Sequence, residues 1–302
     1  MEKLLIGILL LSTAALQSQT IQPTYIFYNQ HLNLVNPATV GNEKSHTISA
    51  NIRSQWSGTD APVTQSFFTT HRINNSVGVG LSVVADRVFV QRQTAIFADF
   101  AYRIPITETS NIVGGIKFGG DFFNVDIDKI VTYNHLYNMG HSNVQFDPYL
   151  QHISGKFQFN FGAGVFYNHP HFYVGFSVPN MLASSKTQVN NELVTSVSNR
   201  ILLYTDAGYY WYLNPYITIM PHIQVRVAQA EKPTARISLS TIYLTHTQLG
   251  VTYSTAKAFS GYLLFNIYKY YLSVGYGYET YFARSLYLPS KSSREFLIRV
   301  KW

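Results

Sequence analysis

The sequence predicts an all-β protein, specifically a transmembrane, antiparallel, up-and-down β-barrel of about 14 strands. Three observations lead to this fold class. Apolar and polar residues alternate along most of the chain, the alternating segments are about 10 residues long, and the connections between them are short at every second gap. Side chains of a strand alternate between its two faces, so alternation indicates strands with one apolar and one polar face. Strands of this length can cross a bilayer when tilted, whereas strands of soluble sandwiches are usually shorter.

The composition agrees with a barrel whose outer surface contacts lipid. Of the 302 residues, 15% are aromatic and only 12% are charged, and cysteine is absent. The charged share is about half the usual one. The absence of cysteine excludes a disulfide scaffold, a cysteine-ligated metal site and an acylated anchor. The net charge of +7 is not concentrated in a basic run, so we expect no nucleic-acid partner.

The first residues predict export from the cytoplasm. Lys3 is followed by an apolar run from Leu4 to Leu16 and then by small and polar residues, so residues 1–19 are interpreted as a secretory signal peptide. That run is too short for a membrane helix, and no later uncharged apolar run reaches about 18 residues. An exported chain of this kind is a soluble periplasmic protein, a secreted protein or an outer-membrane barrel.

Residues 20–44 precede the first predicted strand and alternate poorly. They contain Tyr25, Phe27, Tyr28, Leu32 and Leu34, which make the segment too apolar for a free periplasmic tail. We expect this N-terminal segment to lie in the barrel lumen or against the periplasmic rim.

Residues 45–302 are expected to form the barrel, and turn signals divide them into strands. The predicted strands are 45–56, 63–73, 76–86, 93–104, 111–122, 156–167, 171–179, 200–213, 216–228, 235–244, 247–256, 259–268, 270–280 and 292–302. Their number is even, as in bacterial single-chain barrels. We expect the last strand to pair with the first, because closure leaves no strand edge unpaired in the membrane.

The lengths of the connections separate the membrane barrel from a soluble one. Every second connection is short, whereas the other set includes the long polar segments 123–155, 180–199 and 281–291. Short periplasmic turns and longer extracellular loops are typical of outer-membrane barrels. The sequence therefore predicts the outer membrane of a gram-negative cell as the location.

A lumen of fourteen strands is too wide for its own side chains to fill simply, since about eight strands pack shut. The parity predicted to face inward carries a set of cationic side chains, namely Arg103, Lys117, Lys156, Arg226, Arg236 and Arg299. The excess of Arg and Lys over acidic residues on this parity would attract anions or an acidic peptide. The alternative is that the cations pair with acidic and polar neighbours inside the barrel.

The chain offers little sign of catalysis or cofactor chemistry. His169 and His171 flank Pro170 and could suggest a metal site. The sequence Asn-His-Pro at 168–170 lies at a predicted tight turn, so a turn explains these residues better than a metal site does. The glycines at 78–80 and 114–120 lie inside strands with no helix following, which excludes a phosphate-binding loop. We interpret them as relieving crowding in the curved wall. We expect no catalytic residues, no cofactor, no metal and no enzymatic activity.

Four stretches carry a family resemblance when taken in order: "YNQHLNLVNPATVG" (28–41), "IRSQWSGTDAPVTQSF" (52–67), "GVGLSVVAD" (78–86) and "FYVGFSVPNML" (172–182). They resemble the PorP/SprF family of type IX secretion system membrane proteins over nearly the whole mature chain. The residues that match the family pattern are Asn36, Pro37, Ala38, Gly41, Arg53, Gln55, Trp56, Ala61, Pro62 and Pro179. Departures at Thr39, Val40, Ser54 and Asp60 leave the subfamily open.

The resemblance implies an outer-membrane barrel that works with the type IX secretion and gliding machinery. Two roles follow from it: a core component with periplasmic partners, or a dedicated partner that helps to secrete and retain a large surface adhesin through the adhesin's C-terminal domain. The long loops offer an outer binding surface and residues 20–44 an inner one. The alternative function is a diffusion porin or small-solute transporter.

Overall fold

The fold is described from a computed structural model, which covers most of the chain. The described residues are 24–43, 45–55, 61–89, 91–125, 153–182, 184–188, 195–199, 201–228, 232–267, 271–282 and 292–302. The predicted signal peptide, Trp56 and most of the long connections lie outside these ranges. Within them, no helix is long and apolar enough to cross a membrane.

Strands dominate the described part of the chain. They are β1 (Thr47–Gln55), β2 (Val63–Arg72), β3 (Val77–Val88), β4 (Gln91–Pro105), β5 (Asn111–Val125), β6 (Ile153–Asn168), β7 (Phe172–Val178), β8 (Ser184–Gln188), β9 (Thr195–Asn199), β10 (Leu202–Tyr209), β11 (Trp211–Asn214), β12 (Ile217–Ala228), β13 (Thr234–Tyr243), β14 (Thr247–Ser254), β15 (Ala258–Ile267), β16 (Leu272–Tyr281) and β17 (Ser292–Lys301). Before them lie a 3₁₀ turn (Tyr28–Gln30), the single-turn helix α1 (Leu32–Val35) and a second 3₁₀ turn (Pro37–Thr39).

The strands form a closed antiparallel barrel, which confirms the predicted fold class. Neighbouring barrel strands pair in chain order, with β7 followed by β10, and β17 closes on β1 in the register Thr47–Lys301 to Gln55–Ser293. The segments β10 and β11 both pair with β12 and together make one barrel strand, so the barrel has fourteen strands. The separate β8–β9 hairpin lies within 180–199, where the sequence predicts a long loop.

The two parities of each strand face opposite environments. On β17, the outward side chains of Phe296 and Ile298 are 55% and 54% exposed, whereas Glu295 and Arg299 face the lumen and are buried. The intervening inward residue Leu297 is apolar and 0% exposed. The same alternation continues along β1, where the even-numbered residues through Ile52 point outward and the odd-numbered ones are buried. Charged groups are therefore concentrated inside, as a lipid-facing wall requires.

The two rims of the barrel differ. Few residues separate β2 from β3, β4 from β5, β6 from β7, β11 from β12, β13 from β14 and β15 from β16, and the strand ends that these connections join lie at one rim, here called the turn rim. The first strand begins and the last strand ends at this same rim, at Thr47 and Lys301. The strand ends that flank residues 126–152 and 283–291 lie at the opposite rim, here called the loop rim. In outer-membrane barrels the turn rim faces the periplasm.

Candidate functional site

Residues 24–43, here called the lumenal segment, lie inside the barrel. From Thr24 to Gly41 the segment runs from the loop rim to the turn rim. Thr24 lines the same small cavity as Thr234 near the loop rim, whereas Gly41 packs against Gly78 near the start of β3. Ile26, Phe27 and Ala38 are at most 1% exposed. The short helical turns satisfy part of the backbone, for example through hydrogen bonds from Gln30 N to Phe27 O and from Asn36 N to Leu32 O.

One end of the segment is held by an ionic cluster formed by Arg53, Glu279 and Glu295. The Arg53 guanidinium donates to Glu279 at 2.5 Å and to Glu295 at 3.5 Å, and it is 0% exposed. Glu295 also accepts the backbone N–H groups of Ile26 at 2.5 Å and Phe27 at 3.3 Å. The Glu295 carboxylate therefore links the barrel wall to the segment, whereas Glu279 accepts from Arg53 and Tyr281, which both belong to the wall.

Further contacts surround this end of the segment. Arg236 donates from Nη1 to the carbonyl of Tyr25 at 2.8 Å. Ile26 and Phe27 form an apolar cluster with Tyr262, Leu264 and Leu297 of the wall. This contact explains why Leu297, an apolar side chain, faces the lumen: its partners are apolar side chains of the segment rather than water.

His31 lies at the centre of the segment beside Glu295. Asn51 Nδ2 lies 3.1 Å from His31 Nε2 and also donates to Glu295 at 2.6 Å, so it suits a neutral imidazole that accepts at Nε2. Burial lowers the pKa of His31 below its ordinary value of 6.5, and the Glu295 carboxylate opposes part of that shift. Burial also raises the pKa of Tyr28 to about 12. These two groups of the segment are therefore uncharged at neutral pH.

The "NPA" stretch packs the part of the segment nearer the turn rim against the wall. Asn36 caps the following turn through Oδ1, which accepts from Ala38 N at 3.0 Å, and its Nδ2 donates to Val165 O at 3.4 Å. A Cβ at Gly115 would lie 2.6 Å from the Cα of Ala38, and a Cβ at Gly164 would overlap the side chain of Asn36. The wall glycines provide the space in which the motif packs.

Gly41 ends this part of the segment in a backbone conformation that favours glycine, with a φ of +65°. A Cβ there would also lie 2.6 Å from the Cα of Gly78. Arg103 fixes the same turn by donating from Nη2 to the carbonyls of Gly41 at 2.8 Å and Asn42 at 3.1 Å. The inward glycines at 78, 80 and 115 thus adjoin the lumenal segment, which differs from the predicted role in wall curvature.

On the turn-rim side of the segment lies a cavity of about 400 Å³, here called the vestibule. Its lining includes Asn29, Gln30, Glu43, Arg299 and Lys301. Arg299 donates to Gln30 Oε1 at 2.6 Å and to Gln30 O at 2.8 Å, and Lys301 pairs with Glu43 at 2.6 Å. A much smaller cavity, about 40 Å³, lies on the other side of the segment.

The structure places the six cationic lumen candidates as follows. Lys117 pairs with Asp99 at 2.8 Å and approaches the carbonyl of Asn33 at 3.5 Å. Arg103, Arg236 and Arg299 donate to carbonyl or amide oxygens of the lumenal segment. Arg226 is half-buried beside the smaller cavity. Lys156 lies on β6, and its side chain is outside the description.

The family-motif residues fall into two groups. Asn36, Pro37, Ala38 and Gly41 belong to the lumenal segment, as just described. The others belong to the wall: Arg53 and Gln55 face inward on β1, Ala61 and Pro62 precede β2, and Pro179 follows β7. Gln55 N donates to Pro62 O at 2.9 Å, and the carbonyl of Pro179 lies against Gly162. Trp56 lies outside the described residues.

Sequence reasoning did not single out the acidic partners Glu279 and Glu295. Their inward parity is readable from the sequence, but their shared contact with Arg53 joins strands at opposite ends of the chain. Asp206 and His222 are also buried in the lumen, 3.8 Å apart, with the Tyr28 ring stacked on His222. Their side chains are at most 3% exposed. Among the described residues, no group of three or more potential ligands could hold a metal ion.

Comparisons with known proteins give one family and one fold. A family model described as type IX secretion system membrane protein PorP/SprF matches residues 16–300 of this chain. No protein with a curated description matches it.

Among solved structures, the toluene transporter TbuX of Ralstonia pickettii matches with a TM-score of 0.52 and 11% identity, covering 88% of this chain and 92% of that one. The monoaromatic hydrocarbon channel CymD has a TM-score of 0.53 and 12% identity, with coverages of 89% and 91%. The toluene transporter TodX of Pseudomonas putida has a TM-score of 0.50 and 8% identity, with coverages of 89% and 92%. At such identities the likeness extends to the barrel fold alone.

Proposed function

The chain belongs to the PorP/SprF family of type IX secretion system membrane proteins, and we propose that it is a non-enzymatic barrel that binds a protein partner of this machinery. The partner is either another component of the secretion and gliding apparatus or the C-terminal domain of a large surface adhesin, which the barrel helps to secrete and to anchor at the cell surface. The barrel resides in the outer membrane of a gram-negative cell, where lipid covers its outward apolar face.

The observation that carries this proposal is the occupied lumen. The lumenal segment is held by Glu295, Arg236, Arg103 and Arg299 and by apolar contacts around Phe27. A freely conducting pore would need this segment to leave, with loss of several charge-assisted hydrogen bonds worth about 1.5–3 kcal/mol each. A barrel filled by its own chain is better suited to binding at its rims than to free diffusion.

The vestibule favours one alternative function. A cavity of about 400 Å³ open to the turn rim is large enough for a small molecule, so a small-solute transporter remains the second candidate. Such a transporter would require the lumenal segment to move during each transport cycle.

Planar-bilayer conductance separates the two functions. The purified barrel should give no steady channel, whereas a variant that lacks residues 24–43 and still migrates as a folded barrel should conduct ions. A steady open channel in the unaltered protein would support the porin and contradict the binding role. Cross-linking in native membranes, followed by identification of the attached proteins, tests the binding role directly. A type IX component or an adhesin C-terminal domain is the expected product, and recovery of neither would overturn the proposal.

A further inference from the structure

The vestibule has an unbalanced charge distribution. Its cationic groups are Arg299 and Lys301, and its one acidic lining residue among the described positions is Glu43. Glu43 pairs with Lys301 at 2.6 Å and is largely exposed, at 59%, whereas Arg299 is 4% exposed. Two cations therefore share one carboxylate, and the carboxylate is bound to the more exposed of the two.

Arg299 has neutral hydrogen-bond partners only. Among the described residues, both of its hydrogen bonds go to oxygens of Gln30, and no carboxylate lies within ion-pair distance of its guanidinium. Its Nε–H has no partner among the described residues. Glu43 attracts this guanidinium without forming an ion pair with it, so Coulomb attraction offsets only part of the cost of desolvating the buried cation. An added carboxylate would supply the missing charge and accept the remaining N–H groups in a planar fork.

The rest of the vestibule lining combines uncharged polar side chains with apolar and aromatic ones such as Leu32, Phe68 and Met220. Asn29 lines it, and its Oδ1 is a buried acceptor without a partner among the described residues. Asn42, Asn168 and Asn266 contribute further amide side chains, of which Asn266 already donates to Thr245 O and accepts from Ser273, and Asn42 accepts from Arg103. Such groups match the alternating N–H and C=O groups of a polypeptide backbone. The volume of about 400 Å³ falls within the usual range of ligand sites, about 300–1,000 Å³.

We propose that the vestibule binds an acidic peptide segment presented from the periplasm, with a carboxylate of that segment paired with Arg299 and its backbone bonded to amide side chains such as Asn29. The proposal deepens the binding function proposed above and rests on it, because it states the chemistry by which a periplasmic partner would be recognised at the turn rim. The lumenal segment forms the floor of the site, so occupancy of the vestibule and retention of the segment reinforce each other.

Fluorescence anisotropy with a labelled peptide tests the site. The probe is a short peptide of alternating Glu and Ser, and its matched control carries Gln in place of Glu. In detergent and at low salt, the full barrel should bind the acidic probe and bind the control at least tenfold more weakly, because the control lacks the charge-assisted bonds. Free acetate is the third probe, and it should compete only at far higher concentration.

Substitutions of the cation Arg299 and of the carboxylate Glu43 should change the affinity for the acidic probe in opposite directions. Arg299→Gln should weaken binding of the acidic probe about tenfold or more. Glu43→Gln should strengthen binding about threefold, because it releases Lys301 from an exposed ion pair. Arg72→Gln is the matched control, since Arg72 lies near the turn rim, bonded to the carbonyls of Asn74 and Asn75 outside the vestibule. It should leave affinity unchanged.

Arg299→Lys keeps the proposal testable if Arg299→Gln fails to fold, because it keeps the charge but loses the planar fork. It should weaken binding of the acidic probe about three- to tenfold. Equal binding of the acidic and control peptides, an unchanged affinity in Arg299→Gln, or weaker binding in Glu43→Gln would overturn the inference. Competition by acetate at the same concentration as the peptide would also overturn it, since the site would then take any small anion. Loss of peptide binding alongside intact partner cross-linking in native membranes would leave the broader binding function standing.

Discussion

Gly115 offers the sharpest test of how the lumenal segment is seated. Its inward side is occupied, and a Cβ added there would lie 2.5 Å from the carbonyl carbon of Pro37 and 2.6 Å from the Cα of Ala38. Both are backbone atoms, so no side-chain rotation relieves the overlap. Gly114, the adjacent residue, faces outward, and nothing lies within 4 Å of a Cβ added to it. Gly115→Ala and Gly114→Ala therefore form a matched pair.

The magnitude follows from the overlap. Ordinary contact at a Cβ begins at 3.4 Å, so Gly115→Ala requires the backbone at Pro37 to move by almost 1 Å. Overpacking of this kind costs about 1–3 kcal/mol. That free energy corresponds to a rise of about 5- to 150-fold in the population whose segment has left the wall.

Thiol labelling measures that population. The chain has no cysteine, and Val40, which is 1% exposed, packs in the same cluster as Ala38. In a Val40→Cys background, the maleimide labelling rate should rise about 5- to 150-fold with Gly115→Ala and stay nearly unchanged with Gly114→Ala. Equal rates in the two variants would refute the placement of the "NPA" stretch against the wall.

Three further predictions concern the ionic cluster, the lipid face and pH. Glu295→Gln should increase the labelling rate in the same assay about tenfold or more, because two backbone N–H groups of the segment lose a charged acceptor. Glu279→Gln removes a contact within the wall and should change the labelling rate far less. Similar rates in the two variants would contradict the role of Glu295 in holding the segment. Ile298→Arg should destabilise the barrel by about 2–4 kcal/mol in urea unfolding from lipid vesicles, and an unchanged midpoint would show that this face is not in lipid. Since burial lowers the pKa of His31 in the docked segment, docking is strongest above pH 6.5 and weakens as the pH falls below that value. Amide-exchange protection of residues 24–43 should fall accordingly, and His31→Gln should reduce the dependence; an unchanged dependence would contradict the role of His31.

Much of the wall could be predicted from the sequence because strand parity is a local property. Phe296, Ile298 and their polar neighbours alternate with a period of two, and that period alone assigns each side chain to the lipid or to the lumen. The count of fourteen strands and the sorting of connections between two rims follow from the same pattern. The strand ends differ by a few residues, and the hairpin within 180–199 was missed because its strands do not belong to the barrel.

The contents of the lumen were decided only by the tertiary structure. Ile26 and Glu295 are 269 positions apart, and no local pattern states that the backbone of one meets the carboxylate of the other. The glycine at 115 looks like a feature of the wall until Ala38 is found against it. Alternation requires only that each strand has two faces, whereas the choice of what fills an enclosed space depends on which distant groups fit its shape and balance its charge.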